Sequence, residues 1–294
     1  MRRTLFDTGT GCVWAALLLI CVSFLLSGCG VKTIALIPFE NGSRWTNLTV
    51  DDYLLETLQD TIGKKCRNVR LMLPGQPGFP DEFKQIPRMA NGEIDNFALA
   101  AVGQSFGINL VITGRLADID DEERSRGMLW FKGQETTARF QFEMSVFHTG
   151  TGAKLVDEAL LHHVEVETAD FESLKAGAIP DASLLAMAFS EMAEQLGEQL
   201  CDVLRDVRWE GSITSVEGNQ VIVPFGSESG FQVGDKLAVY ALKEILEGAS
   251  GHRFFVPGFK TGEIEVTAVY ANRLEATVLD GTATQPNSLV REVD

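Results

Sequence analysis

The chain predicts an α/β (α+β) domain on a mixed sheet, followed by a small all-β, barrel-like domain. Between residues 33 and 114, apolar runs of strand length alternate with amphipathic helical patterns. That order (strand, helix, strand, helix, strand) argues for an α/β layer. From about Arg208 onward, short apolar runs are separated by glycines and no helical period is present, the pattern of a small antiparallel barrel. A third observation, the composition of residues 1–28, sets both domains apart from a leader.

Arg2 and Arg3 open the chain, residues 13–25 are apolar apart from Ser23, and Leu26, Ser27 and Gly28 lead to Cys29. This is the charged start, apolar core and small-residue cleavage site of a secretory signal. The apolar run is shorter than the ~20 residues a membrane-spanning helix needs. Leu26-Ser27-Gly28-Cys29 is similar to the lipobox of bacterial lipoproteins, whose cysteine takes a diacylglyceryl group and becomes the mature N-terminus. Lipidation is therefore expected at Cys29. Each buried methylene contributes ~0.8 kcal/mol to membrane binding, so several acyl chains on one residue hold a protein almost permanently. Gly30, in place of an aspartate, favours the periplasmic face of the outer membrane. Because the first strand begins almost directly after Cys29, the lipid is expected to hold the first domain close to the membrane.

Processing removes two arginines and Asp7, so the net charge of -16 becomes -17 over 266 residues. That length suits one large domain or two ordinary ones. So acidic a chain, without contiguous basic patches, is not expected to bind nucleic acid. Its charge also repels anionic headgroups, leaving attachment to the acyl chains. Of five cysteines, Cys29, Cys66 and Cys201 survive processing, and the last two could pair in an oxidising periplasm.

Residues 33–39 read as a buried strand because they are continuously apolar, with Pro38 at its end. Thr49 is placed to cap a helix whose Leu54, Leu58 and Ile62 share a face, with Asp51 and Asp52 at its positive end. Residues 69–73 form a second strand, and residues 74–92, rich in proline and glycine, a surface excursion. Asp95 caps a helix through Phe106, Gly107 ends it, and residues 108–114 form the third strand. Phe140, Phe142, Met144, Val146 and Phe147 mark a half-buried strand, residues 149–152 a hairpin turn, and residues 155–166 the returning partner. Leu185, Phe189, Met192, Leu196, Leu200, Val203 and Val207 recur at helical spacing and close the domain. In the second domain the predicted strands are residues 209–217, 220–225, 235–242, 260–270 and 273–279.

No constellation calls for catalysis, and no cofactor or metal is expected. In Gly226-Ser-Glu-Ser-Gly230, Glu228 stands where a nucleophile elbow needs serine, so a turn is predicted. Gly150-Thr-Gly152 lacks the third glycine of a dinucleotide loop. The acidic run from Asp118 to Glu123 has oxygens that suit calcium but lacks the glycine and terminal glutamate of a helix-loop-helix site, so a solvated loop is predicted. His162 and His163 are strand neighbours and point to opposite faces. Trp130, Phe131, Phe254, Phe255 and Phe259 fall in loops or at strand ends, where partner contacts concentrate. Gap filling beneath a hairpin stands as the alternative for Trp130 and Phe131.

Residues 33–41, 110–116 and 148–154 resemble the N-terminal domain of the translocation protein TolB. That domain type recurs in the curli secretion lipoprotein, in a lipoprotein activator of peptidoglycan synthases and in the middle domain of the flagellar assembly protein FlgT. The resemblance covers residues 32–207. Residues 211–223, Gly226, residues 230–235, Val239-Tyr240 and residues 262–267 are similar to the C-terminal domain of FlgT. Together they imply a TolB-like domain over residues 29–207 and a FlgT C-terminal-like domain over residues 208–294. In a TolB-type domain the first and last helices share one sheet face, which leaves open a Cys66–Cys201 disulfide or two buried thiols. The chain departs from the flagellar family in lacking a further domain before the first strand and in carrying a lipobox.

The resemblance implies a non-enzymatic, lipid-anchored envelope scaffold. Its partners would be the membrane through Cys29, envelope or flagellar-motor proteins, or a second copy of the chain. The alternatives are an activator of peptidoglycan synthesis, which would favour a long linker after Cys29, and a curli-type secretion component. The latter needs amphipathic membrane strands, and Arg139 and Glu143 interrupt that alternation.

Overall fold

The computed structural model describes residues 30–126, 133–241, 244–248, 251–281 and 285–293. Leu26, Ser27, Gly28, Cys29, Trp130 and Phe131 lie outside the described residues.

The first half is built on a six-stranded sheet in the order β3-β1-β4-β5-β6, with β2 paired to β4. β1 (Lys32–Leu36) lies between β3 (Val69–Met72) and β4 (Leu110–Arg126), parallel to both. β2 is Glu40–Asn41. β5 (Gly133–His148) and β6 (Lys154–Glu165) continue antiparallel, which makes the sheet mixed. Alternate residues of β1 feed two cores. Ile34 and Leu36 join Leu110, Ile112, Phe140 and Phe142 on one face, while Ala35 joins Val111, Phe147, Leu99 and Phe83 on the other. Burial on both faces is why this strand reads as an unbroken apolar run.

α1 (Asp51–Lys65) and α4 (Ala182–Asp206) cover the first face. Leu54, Leu58 and Ile62 of α1 meet Leu185, Phe189, Met192, Leu196 and Leu200 of α4 in one apolar core. Asp181 caps α4 by accepting the Ser183 amide at 2.8 Å. α1 is not capped by Thr49, because its N-cap is Val50 and no side chain serves. Asp51 instead accepts the Phe39 amide at 2.9 Å, tying the helix start to the end of the first strand. α2 (Asn96–Ser105) lies on the opposite face, capped by Asp95, whose carboxylate accepts the amides of Phe97 and Ala98. The excursion before it includes a 3-10 turn, Asp81–Lys84, that buries Phe83.

The strand predicted to end at Gly114 and the predicted acidic loop are also corrected. β4 does not stop at Gly114 but runs for 17 residues through the acidic segment, paired to β5 along its length. The predicted acidic loop is thus strand, stabilised by cross-strand burial of Leu116 and Ile119 against Phe140 and Phe142. α3 (Thr168–Lys175), short and anchored by buried Phe171 and Leu174, was not anticipated.

The second half is a seven-stranded, wholly antiparallel sheet ordered β7-β15-β10-β13-β14-β9-β8. Its strands are β7 (Glu210–Ser212), β8 (Ser215–Glu217), β9 (Gln220–Val223), β10 (Lys236–Tyr240), β13 (Lys260–Val269), β14 (Leu274–Gly281) and β15 (Leu289–Glu292). The edge strands β7 and β8 are separated by only Ile213 and Thr214, so the sheet curls back into a half-barrel. Bulges in β13 sharpen that curl. Trp209 is buried at its centre, edge-on to Phe225 at 4.7 Å and Phe231 at 4.5 Å. The predicted strand over residues 209–217 is broken into β7 and β8, since each pairs with a different neighbour. β15 and a separate hairpin of β11 (Glu244–Glu247) and β12 (Arg253–Val256) were not predicted.

Candidate partner-binding surface

Polar side chains and close backbone approaches join the two halves. Gly107 has φ 67°, the left-handed region, and a Cβ there would collide with the Pro224 carbonyl. Asn109 accepts the Thr33 amide at 2.9 Å and donates to the Glu210 carbonyl at 2.5 Å. Glu210 is buried and pairs through its carboxylate with Arg291, whose Nε is 2.6 Å away. His148 stands beside it, with Nε2 3.7 Å from the Glu210 carboxylate and Nδ1 3.0 Å from the Thr151 hydroxyl.

The β11–β12 hairpin is seated on α2. Asn96 donates to the carbonyls of Gly152 and Arg253 at 2.8 and 2.7 Å. Phe255 stacks on Phe97 with centroids 4.5 Å apart, and the Arg253 guanidinium lies 4.1 Å from the same ring. In the register, Ile245 faces Phe255 and Leu246 faces Phe254. Adjacent strand residues point to opposite faces. Phe255 thus turns to α2 while Leu246, Phe254 and Val256 turn outward.

That outward face carries Leu246, Phe254 and Val256 beside Glu244. Leu246 is 55% exposed, Val256 37%, and Phe259, just past the hairpin, 79%. Beneath the hairpin a cavity of about 460 Å³ is lined by Phe97, Ala101, Ile213, Ile245 and Phe255. The arrangement offers apolar contact area on a short two-stranded sheet.

The predicted residues divide accordingly. Phe254 and Phe259 lie at the open face, whereas Phe255 is an internal contact, held by α2. Ile245, Leu246 and Phe97 were missed. The signal for Ile245 and Leu246 is a run of strand-forming residues on either side of Gly248 and Gly251; Phe97, on α2, leaves no such trace. Cys66 and Cys201 are joined in a disulfide with Cα atoms 5.0 Å apart, linking the end of α1 to α4. The acidic run has partners on neighbouring elements: Asp120 pairs with Arg139 of β5 at 2.6 Å, Glu122 lies 3.4 Å from the His163 ring of β6, and Glu123 lies 3.7 Å from Lys175 of α3. The Asp120 carboxylate raises the Arg139 pKa by hydrogen bonding. His162 turns away to Glu191 at 3.0 Å. Glu228 sits in a 3-10 turn and pairs with Arg70 at 2.6 Å. Among the described residues, no group of three or more His, Cys, Asp or Glu side chains could hold a metal ion.

The start of the described chain is held by the second half as well as the first. Gly30 is buried, and its amide donates to the Glu292 carboxylate. A Cβ on Gly30 would stand 2.9 Å from both Phe231 and Trp209. The Val31 amide donates to the Ser229 carbonyl at 2.7 Å. From Gly30, packed against the half-barrel, the chain runs directly into β1 of the first half.

No protein-family model matches the chain, and no curated protein does. Solved structures similar to it include lipoprotein GNA1162 from Neisseria meningitidis, with 14% identity, 57% of this chain and 99% of that chain covered, and a TM-score of 0.31. A minor lipoprotein from Acinetobacter baumannii has 14% identity, with 58% and 94% covered and a TM-score of 0.30. TolB from Acinetobacter baumannii has 11% identity, with 85% of this chain and 60% of that chain covered, and a TM-score of 0.28.

Proposed function

We propose that this chain is a non-enzymatic, lipid-anchored scaffold at the periplasmic face of the bacterial outer membrane. The single observation that carries the proposal is Leu26-Ser27-Gly28-Cys29 closing a basic-then-apolar leader. The outward face of the β11–β12 hairpin, with Phe259 beside it, is the docking surface for a protein partner. Flagellar-motor or other envelope assemblies are the class of partner that the family resemblance implies. The mechanism is local concentration: an anchor confines the protein to one surface, so weak apolar contacts become effective.

The test is detergent extraction of outer membranes followed by affinity copurification with the wild-type chain and with Cys29→Ala. The expected result is that wild type extracts only with detergent and brings down envelope proteins, while Cys29→Ala does neither. Wild type recovered in the soluble periplasmic fraction would sink the proposal.

A further inference from the structure

We infer that the end of the molecule around Gly30 lies directly on the phospholipid bilayer and that the long β4–β5 hairpin points away from it. The inference rests on lipidation at Cys29 and adds an orientation to it. Consecutive Cα atoms are about 3.8 Å apart. Gly30 is fixed by the Glu292 hydrogen bond and by the packing of Phe231 and Trp209. Residue 30 therefore cannot act as a spacer, and an acylated residue 29 must bring the bilayer to the surface around it.

The neighbouring elements identify that surface. The Lys32 amide donates to the Asn68 carbonyl at 2.9 Å, and the Lys32 ammonium donates to the Leu204 carbonyl at 2.6 Å. The C-terminal ends of α1 and α4, tied by Cys66–Cys201, thus stand at this end. Leu237 pairs with Glu292, which places the turn before β10 beside the end of β15. The exposed apolar residues there are Val233 at 66% and Val293 at 42%.

The parallel pairing of β1 and β4 sets the opposite direction. β1 leaves the Gly30 end, β4 runs the same way, and it continues for 17 residues to Arg126. At ~3.3 Å per residue the strand reaches up to about 50 Å, away from the anchoring membrane. The N-terminal end of α4, 25 residues from its base, is carried ~37 Å outward.

The experiment uses full-length, membrane-extracted protein reconstituted into nanodiscs of phosphatidylethanolamine and phosphatidylglycerol containing a headgroup-nitroxide phosphatidylcholine. Val233→Cys and Ile179→Cys, both exposed positions, are labelled with a fluorophore, with peptide mapping to verify that Cys66–Cys201 stays closed. A several-fold loss of emission at position 233 and none at position 179 is expected. Quenching at 179, or none at either site in protein shown by mass to be acylated, overturns the orientation alone. Membrane-bound protein without acyl groups at Cys29 overturns the anchoring premise and the orientation with it.

Discussion

Removing the Cys66–Cys201 bridge by the double substitution Cys66→Ala and Cys201→Ala gives the sharpest stability test. The bridge closes a loop with a sequence separation of 135 residues. The chain-entropy relation for a loop of that length gives ~5 kcal/mol at 25 °C. The bridged helices meet through Leu54, Leu58, Ile62, Leu196 and Leu200 independently of the sulfurs. The loss should therefore arise in the unfolded chain and leave the native far-ultraviolet spectrum unchanged. For a domain of this size, each kcal/mol moves Tm by about 2–4 °C, so a fall of roughly 10–20 °C is expected. Urea unfolding followed by circular dichroism measures it, with midpoints and slopes compared for both proteins. A loss below about 1 kcal/mol would refute the reasoning, because so long a loop cannot be closed at so small an entropic cost.

Gly107→Ala should destabilise by about 2 kcal/mol or more, because a left-handed backbone and the Pro224 carbonyl both reject a Cβ; urea midpoints read this. Asp95→Ala should cost ~1 kcal/mol by leaving the Phe97 and Ala98 amides uncapped, whereas Thr49→Ala should cost almost nothing. Leu246→Ser with Phe259→Ser should shift stability by less than about 0.5 kcal/mol yet abolish copurification of partners. Retained capture would remove the hairpin from the docking surface. The Asp181 carboxylate is held below its ordinary range, first by the Ser183 hydroxyl and then by backbone amides; Asp157 is lowered first by Lys154. Depressed pKa values mean that these groups contribute stability above the unfolded carboxylate value of ~3.9 and lose it as pH falls further. The urea midpoint should fall on acidification below about pH 4, and the fall should be shallower in Asp181→Asn.

The fold was legible wherever burial leaves a one-dimensional trace. β1 shows both faces buried as a continuous apolar run, α4 shows its stripe from Leu185 to Leu200, and Asp95 sits where a cap belongs. Legibility failed where tertiary partners decide. The acidic segment of β4 has the composition of a loop, and its pairing with β5, including the Asp120–Arg139 ion pair, makes it a strand. β7 and β8 read as one continuous strand in the chain but belong to opposite edges of a curled sheet. At the candidate surface, Phe254 and Phe259 could be picked out as aromatics near strand ends. Phe255 could not be told apart from them, since its inward turn depends on strand parity and on Phe97, about 160 residues away.

The central claim is attachment through Cys29. Mass analysis of the N-terminal peptide from protein extracted from native membranes, after growth with a clickable palmitate analogue, tests it most directly. The predicted result is a mature chain that begins at Cys29, carries acyl mass on that residue and shows the label. A chain that keeps its leader, or one cleaved elsewhere with an unmodified Cys29, would contradict it.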